Sequence, residues 1–222
     1  MSREDRAIPA RMPEKYPGRD RAALHALVAD ARVGHVAFVV DGEPRVLPIA
    51  IVSTGDDILV HGSTGSRWLR LLATGTPVAL SVTALDAVVV ARSAFESSMH
   101  YRSAVLFGGC RPVTDDAKVH ALDHITNAII PGRVGEIRRH NAKELAATLV
   151  LRLEVEDWTL KVSDGWSEDG PDDVAGTAWA GVLPVATGFT TALAAPDLAQ
   201  GIPLPPSVQN LLERRRSGYS PT

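Results

Sequence analysis

Apolar and polar residues alternate along much of the chain with the two-residue period of β-strands, and helical spacing interrupts this alternation in only a few places. The first helical stretch follows a charged, proline-rich beginning. Asp20 can cap a helix from Arg21 to about Ala31, because the apolar positions of that segment share one face. The segment "HVAFVVDGEPRVLPIAIV" then holds two β-rich runs around Asp41 and Gly42. This pair tolerates the positive φ angles of a tight turn and predicts a β-hairpin.

The second run of this hairpin contains a proline. Pro48 has no N–H group with which to donate a ladder hydrogen bond. The strand is therefore predicted to lie at the edge of a sheet, or to be bulged or interrupted. Such places often face ligands.

Further strands follow along the chain. A third strand at "ILVH" enters a glycine-rich loop and a short helix from Ser66, and a fourth, "PVALSVTALDAVVVA", is predicted to break near Asp86. A fifth, "HYRSAVLFGGCRPV", has one face that we expect to fill a core, formed by Tyr101, Ser103, Val105 and Phe107.

The last predicted elements are a helix and one more strand. A helix capped by Asp115 or Asp116 should end near Ile130, and a helical turn at "KELAATL" should lead into a sixth strand. Strands joined mostly by hairpins, with helices inserted singly, argue against a doubly wound parallel sheet. The pattern predicts a mainly β fold, an antiparallel barrel with peripheral helices.

Composition narrows the possible functions. The 222 residues are 45% hydrophobic, which is enough for a sizeable core, and the formal net charge of -3 gives no overall cationic field. We therefore expect binding neither to nucleic acid nor to membrane, and no run approaches the roughly twenty apolar residues of a membrane span. The single cysteine, Cys110, excludes an internal disulfide. A cytoplasmic location is the expectation.

The stretch "VHGSTGSRWLRLL" is the strongest candidate for a binding site. A loop that opens a helix offers free N–H donors and the positive end of the helix dipole, and glycines let a ligand approach the backbone. Ser66 adds a hydroxyl group, and Arg67 adds a guanidinium that matches phosphate oxygens. From these residues alone the alternative stays open that Ser66 is an ordinary N-cap and Arg67 an ordinary surface charge.

The histidines are scattered, and no catalytic template is present. His120 and His124 lie four residues apart on one predicted helix and could clamp a metal ion, but no nearby acid or cysteine completes such a site. No metal site is therefore predicted.

Taken in order, four segments resemble a known family: "GHVAFVVDGEPRVLPIAI", "DDILVHGSTGSRWLRLL", "TPVALSVTALDAVVVARSAFESSMHYRSAVLFGGCRPV" and "IPGR". They are similar to the FMN-binding split-barrel proteins related to pyridoxamine 5'-phosphate oxidase, and more narrowly to the subgroup of nitroimidazole-resistance proteins. The resemblance implies a six-stranded antiparallel split β-barrel and a homodimer that holds FMN at the subunit interface. It covers roughly residues 35–163.

The resemblance also implies which residues contact the cofactor. Leu47, Pro48 and Ile49 would lie along the isoalloxazine ring, and His61 and Gly62 at the end of the third strand would lie beside the ribityl chain. Ser66 and Arg67 would bind the phosphate. Ser103 in the fifth strand would contact the flavin. His61 is also the candidate for proton transfer in catalysis.

Departures from the family pattern limit the function. Pyridoxamine phosphate oxidases carry a lysine where this chain has Trp68, and they end in an Arg-Leu-x-Pro segment that "RRRSGYSPT" lacks. We therefore expect an FMN-dependent oxidoreductase that passes electrons between a nicotinamide nucleotide and a small-molecule acceptor, and not a vitamin oxidase. In the nitroimidazole-resistance subgroup an asparagine would stand at His100.

A non-enzymatic role is the alternative: a flavin carrier, a sensor, or a split barrel that binds haem or a deazaflavin. A haem protein of this fold would need an axial ligand, for which His61 or His100 is the candidate. The predicted organisation is an N-terminal arm (1–18), the split-barrel domain (19–163) and a C-terminal extension (164–222) that packs on the barrel or on a dimer partner.

Overall fold

The computed structural model describes residues 20–213, so the predicted N-terminal arm and the last nine residues lie outside the described part. Ten strands form two antiparallel sheets. Their bounds are β1 Val33–Val40, β2 Glu43–Ala50, β3 Val52–Ser53, β4 Asp57–Ser63, β5 Pro77–Val90, β6 Ser98–Gly109, β7 Arg111–Pro112, β8 Thr148–Glu154, β9 Asp157–Val162 and β10 Gly181–Pro184. The first sheet has the order β2-β1-β5-β6-β9, with β10 also paired to β5; the second has the order β3-β4-β8-β7.

Helices surround these sheets. Within the described residues they are α1 Arg21–Ala31, α2 Arg67–Leu72, α3 Asp115–Ile129, the 3₁₀ helix Arg133–Glu136, α4 Ala142–Ala147, α5 Pro171–Val174 and α6 Pro206–Glu213. None of them is long and apolar enough to cross a membrane. The main core includes buried residues of both sheets, among them Ile58, Leu80, Leu106 and Leu151, and of α1, such as Leu24. The mainly β, antiparallel prediction is confirmed.

Several local predictions are confirmed as well. Asp20 caps α1 by accepting a hydrogen bond from the Ala23 N–H at 3.0 Å. The β1–β2 turn has positive φ at both central residues, 53° at Asp41 and 79° at Gly42. Pro48 lies in β2, which is the edge of the first sheet. The predicted break of the fourth strand near Asp86 is not seen: β5 continues from Pro77 to Val90, and only its register against β6 shifts there.

Two predictions near the end of the barrel are wrong in detail. The sixth strand is in fact two strands, β8 and β9, because the chain turns at Val155 and Glu156. The N-cap of α3 is Thr114 rather than either aspartate, and it makes no side-chain cap bond. Acidic residues also favour the first turn of a helix through its dipole, so sequence alone does not separate a cap from a first-turn residue.

The prediction for the core-facing side of β6 is also wrong. Ala104 and Leu106 are the buried residues, opposite Val82 and Leu80 of β5, whereas the alternate set that begins at Tyr101 lies half-buried on the outer face. The inner set includes Arg102, although a charged side chain is usually exposed to solvent. That charge is neutralised inside the fold, which allows this face to point inward.

The neutralising contacts form a charge cluster of Asp30, Asp86 and Arg102. The Arg102 guanidinium donates Nε and Nη2 bonds to Asp86 at 2.9 and 2.8 Å, and Nη2 donates to Asp30 at 2.7 Å. The three side chains are 31%, 12% and 21% exposed, so water screens them less than an ordinary surface pair. The hydrogen bonds from Arg102 to Asp86 raise the pKa of the guanidinium, which therefore stays charged.

The C-terminal extension contacts the barrel near its beginning, in its middle and near its end. Asp169 accepts hydrogen bonds from the Arg92 backbone and side chain at 2.8 and 2.9 Å. Strand β10 pairs with the end of β5. Finally, Ser207 donates its N–H to Glu136 at 2.9 Å and its hydroxyl at 2.5 Å, which attaches α6 to the 3₁₀ helix. The extension is therefore fixed along the barrel surface.

Replacing Arg102 with methionine should destabilise the fold by about 2–3 kcal/mol, because two partly buried carboxylates lose their shared counter-charge. Urea unfolding at pH 7 would measure this. Arg111→Met is the matched control: its 3.5 Å pair with Glu154 is mostly exposed, so its loss should cost less than about 0.5 kcal/mol. Equal effects of the two substitutions would show that the charge cluster has no special structural role.

Candidate phosphate loop and the outer face of the first sheet

The loop between β4 and α2 is held in shape by its own hydroxyl and backbone groups. The Ser66 N–H donates to the Ser63 carbonyl at 3.0 Å, and the Gly65 N–H donates to the Ser63 hydroxyl at 3.1 Å. The Thr64 N–H donates to the Ala147 carbonyl at 2.9 Å. Ser66 is the N-cap of α2, which was the alternative left open for this residue, and its hydroxyl accepts from the Leu69 N–H at 3.5 Å.

Several donors of this loop remain available to an anion. The N–H groups of Arg67 and Trp68 donate to no group within residues 20–213. The Arg67 guanidinium is exposed and forms no ion pair with another described residue. Two backbone donors, a hydroxyl and a guanidinium therefore occur on three consecutive residues, a donor set suited to a phosphate group.

The glycines of the loop serve packing more than anion approach. A Cβ added at Gly62 would lie 3.2 Å from the Leu69 side chain, which is fully buried. One added at Gly65 would lie 3.4 Å from the Ser63 hydroxyl. Gly62 therefore lets β4 approach α2 closely, a reason that sequence reasoning did not give.

The predicted flavin-facing tripeptide is divided between two sides of β2. Leu47 and Ile49 pack against the main core, whereas Pro48 is exposed on the outer face, directly opposite His35 of β1. Ile49 and Trp68 line the same small void inside the barrel, so β2 and α2 are neighbours. Pro48 and the backbone of this edge strand therefore face outward, whereas Leu47 and Ile49 are half-buried against the core.

Ser103 also lies on this outer face, in the fifth predicted strand. It is half-buried and stands between Thr83 of β5 and Lys161 of β9 in the strand register. The Lys161 ammonium is hydrogen-bonded to the Tyr101 hydroxyl and lies 4.1 Å from the centre of its ring. A second row across the same face joins Pro48, His35 and Ser81.

Sequence reasoning missed the polar partners in these rows, which are His35, Ser81, Thr83 and Lys161. Alternation within β5 could have placed Ser81 and Thr83 on one face, since they are two residues apart. Their position beside Ser103 and His35 depends on strand register, which no local signal reveals. The structure thus separates the predicted residues into two groups, with Pro48 and Ser103 on the first sheet and His61, Gly62, Ser66 and Arg67 at the β4–α2 loop.

His61 lies in β4 opposite Val150 of β8. Within the described residues its imidazole has no hydrogen-bond partner, and burial lowers its pKa below the ordinary value of 6.5. The neutral ring therefore predominates at pH 7, and its nitrogen lone pair can accept a proton or bind a metal.

His100 is buried and already engaged at both ring nitrogens. Nε2 lies 3.1 Å from the Gly165 carbonyl, and Nδ1 lies 3.1 Å from the Ser163 hydroxyl. Since a carbonyl only accepts, Nε2 carries the proton and donates it. In this arrangement both ring nitrogens of His100 have partners within the protein, which gives the residue a structural role. Its assignment as a haem ligand stays a prediction.

The part of the chain that the structure describes holds no cluster of metal-ligating side chains. Among residues 20–213 no three histidine, cysteine or acidic side chains cluster as metal ligands. His124, one of the two spaced histidines, lies 2.9 Å from the Ser53 carbonyl through Nε2. Cys110 is buried, and burial raises its pKa to about 11, so its thiol is protonated at neutral pH.

Comparison with known proteins gives a family match. A family model described as pyridoxamine 5'-phosphate oxidase matches residues 20–162, which include both groups of candidate residues. Among curated proteins none matches this chain significantly.

Solved structures match over most of the chain. An FAD- and haem-binding protein from Mycobacterium smegmatis is 51% identical, with a TM-score of 0.84, and the match covers 88% of this chain and 96% of that one. The flavocytochrome Anf3 from Azotobacter vinelandii is 28% identical, with a TM-score of 0.84 and coverage of 95% and 98%. A Bacteroides thetaiotaomicron protein described as a 5-nitroimidazole antibiotic resistance protein shares the fold at 19% identity and a TM-score of 0.56, with coverage of 65% and 85%.

Proposed function

Because the chain belongs to the pyridoxamine 5'-phosphate oxidase family, we propose that it is a flavin-dependent redox protein that also binds haem. The observation that carries this proposal is the 51% identity, over 88% of the chain, with a protein named for binding FAD and haem. A second similar structure is that of a flavocytochrome. Haem binding, which the sequence offered as an alternative to flavin binding, is here proposed together with it. No observation on the described residues favours a deazaflavin.

The proposed flavin is FAD, whereas the family resemblance predicts FMN. Both contain the phosphate next to the ribityl chain, and the donors of Ser66, Arg67 and Trp68 fit that group. The outer face with Pro48 and Ser103 would contact the ring system, as the resemblance implies. A bound flavin supplies two-electron chemistry and a bound haem one-electron chemistry, while the protein binds and orients them.

His61 is the proposed axial ligand to the haem iron. Metal binding needs a neutral imidazole with an available lone pair, and burial favours that form of His61. Its other predicted role, proton transfer beside the flavin, uses the same neutral nitrogen. A nicotinamide nucleotide as electron donor and a small molecule as acceptor remain predictions.

We further propose a homodimer in which the second copy packs on the outer face of the first sheet. Three exposed apolar residues stand directly opposite one another there: Leu183 of β10, Val88 of β5 and Met99 of β6. They are 53%, 38% and 55% exposed, which is unusual for a row of apolar side chains on a sheet. The row adjoins Tyr101 and Leu85, on the same face as Ser103.

The purified protein should show flavin and haem absorption bands, and denaturation should release both cofactors for identification by mass spectrometry. His61→Ala should abolish the haem Soret band and leave the flavin bound. His120→Ala, which removes an exposed histidine of α3, should change neither spectrum. Retention of the Soret band in His61→Ala would reject the axial assignment. A colourless protein that refuses added flavin would reject the proposed function.

Arg67→Ala should weaken flavin binding about ten- to a hundredfold, because one charge-assisted contact with the phosphate is lost. Arg70→Ala is a closely matched control, since Arg70 is also exposed and lies on the same short helix. It should change the dissociation constant less than about twofold. Titration of the apoprotein with flavin, followed by fluorescence, measures both values. Similar losses for the two variants would mean general electrostatic attraction rather than a phosphate site.

Light scattering should give twice the monomer mass for the wild-type protein. Met99→Glu should shift the population toward monomer, because it places a charge in the middle of the apolar row. Lys143→Glu, an exposed position of α4, controls for the added negative charge. A wild-type monomer, or a Met99→Glu dimer of unchanged stability on dilution, would contradict this interface.

A further inference from the structure

A cavity of about 280 Å³ lies between α1, β3 and the C-terminal end of α3. Neither group of candidate residues described above lines it, and its volume is near the lower limit of the roughly 300–1,000 Å³ of small-molecule sites. Its apolar lining residues are Val28, Ala29, Ile51, Val52, Ala128 and Ile129. The cavity also holds an imidazole, a hydroxyl group and a guanidinium, from His25, Ser53 and Arg32.

The serine and the histidine of this cavity are hydrogen-bonded to each other. The Ser53 hydroxyl lies 2.6 Å from His25 Nδ1, and both residues are half-buried. They stand 28 residues apart in the chain, so no local sequence motif contains the pair. A serine hydroxyl at this distance from an imidazole nitrogen can pass its proton to the ring, which is what a nucleophilic serine requires.

Contacts with three other elements fix the position of Ser53. The Gly55 N–H donates to Ser53 Oγ at 3.2 Å, and the φ of 104° at Gly55 is a conformation that favours glycine. His124 Nε2 donates to the Ser53 carbonyl at 2.9 Å, because a carbonyl only accepts. Ser53 also pairs with Ile58 of β4. The hydroxyl group therefore has a defined place beside the imidazole.

The guanidinium of the cavity belongs to a residue with an uncommon backbone conformation. Arg32 is the C-cap of α1 and has a φ of 60°, which few non-glycine residues adopt. Its N–H donates to the Val28 carbonyl and its carbonyl accepts from the Ile51 N–H, both at 3.0 Å. The backbone is thus fixed between α1 and the start of β3. A cation held there can stabilise negative charge that develops on an oxygen atom in the cavity.

We propose that this cavity is an esterase site in which Ser53 is the nucleophile and His25 the general base. Ser53 Oγ forms a bond with the acyl carbon of an ester while its proton moves to His25 Nδ1. The ester C–O bond then breaks, and the imidazolium returns the proton to the leaving alkoxide, which departs as an alcohol. A water molecule, deprotonated by the same nitrogen, attacks the acyl-serine and releases a carboxylic acid and the free hydroxyl group.

The shape of the cavity indicates the class of ester. Val28, Ile51 and Ile129 provide an apolar surface for an acyl chain, and the small volume suits a chain of a few carbon atoms. The Arg32 guanidinium carries the charge needed to stabilise the oxyanion of the tetrahedral intermediate. No electron is exchanged in these steps, so the activity goes beyond the proposed redox function and does not depend on it.

A second serine–histidine pair in the described chain lacks these features. Ser163 Oγ lies 3.1 Å from His100 Nδ1, but both residues are buried and neither lines this cavity. The other nitrogen of His100 is bonded to the Gly165 carbonyl. This pair therefore provides a matched control that has a similar hydrogen bond but no adjoining cavity.

The test treats the purified holoprotein with a biotinylated fluorophosphonate, which labels nucleophilic serines, and with p-nitrophenyl butyrate. Mass spectrometry should find the label on the peptide that contains Ser53, and release of p-nitrophenol should saturate with ester concentration. Ser53→Ala should abolish the label and lower kcat/KM at least a hundredfold. His25→Asn should lower kcat/KM at least tenfold, because the general base is lost.

Ser163→Ala, the matched control, should change neither the labelling nor kcat/KM. Circular dichroism checks that each variant is folded. Should Ser53→Ala not fold, the wild-type label still decides the question, because locating it needs no variant. A wild-type protein that takes no label, a label on another residue, or folded Ser53→Ala that hydrolyses the ester at the wild-type rate would overturn the inference.

Discussion

The charge cluster of Asp30, Asp86 and Arg102 is the interaction on which the arrangement of the molecule depends. It joins the last turn of α1, the bulge of β5 and the inner face of β6 through three hydrogen bonds of 2.7–2.9 Å. The bulge shifts the register at Asp86, and the backbone carbonyl of the same residue accepts the bond that directs the C-terminal extension. One partly buried guanidinium thus holds the last turn of α1 and the bulge of β5 to the inner face of β6.

Local signals were sufficient for much of the fold. Asp20, the Asp41–Gly42 pair and Pro48 each constrain only their own backbone, through a capping side chain, a positive φ angle and a missing donor respectively. Such effects act over a few residues and can be read directly from the sequence. The inward face of β6 could not be predicted in this way, because it depends on Asp30, which lies 72 residues away in the chain.

In the candidate site, too, some features follow from neighbouring residues in the sequence and others from the pairing of distant strands. The donor set of Ser66 and Arg67 follows from a strand, a loop and a helix that are adjacent in sequence, so it was predictable. The rows that join Pro48 to Ser81 and Thr83 to Lys161 require the register of three strands. As candidate axial ligands to haem, His61 and His100 were equal in the sequence. They differ in the fold only because Ser163 and Gly165, which follow β9, engage the ring of His100.

The C-terminal extension contributes surface rather than core. Between its anchors at Asp169, β10 and Ser207 it leaves large apolar side chains exposed, including Trp179, Leu193 and Ile202. A segment that gains so little from burial is retained against its conformational entropy only by anchors of this kind. Between these anchors residues 185–189 pass the C-terminal end of α1, where the Arg32 guanidinium lies 5.2 Å from the centre of the Phe189 ring. The surface at this end of the barrel therefore depends on the extension as much as on the barrel itself.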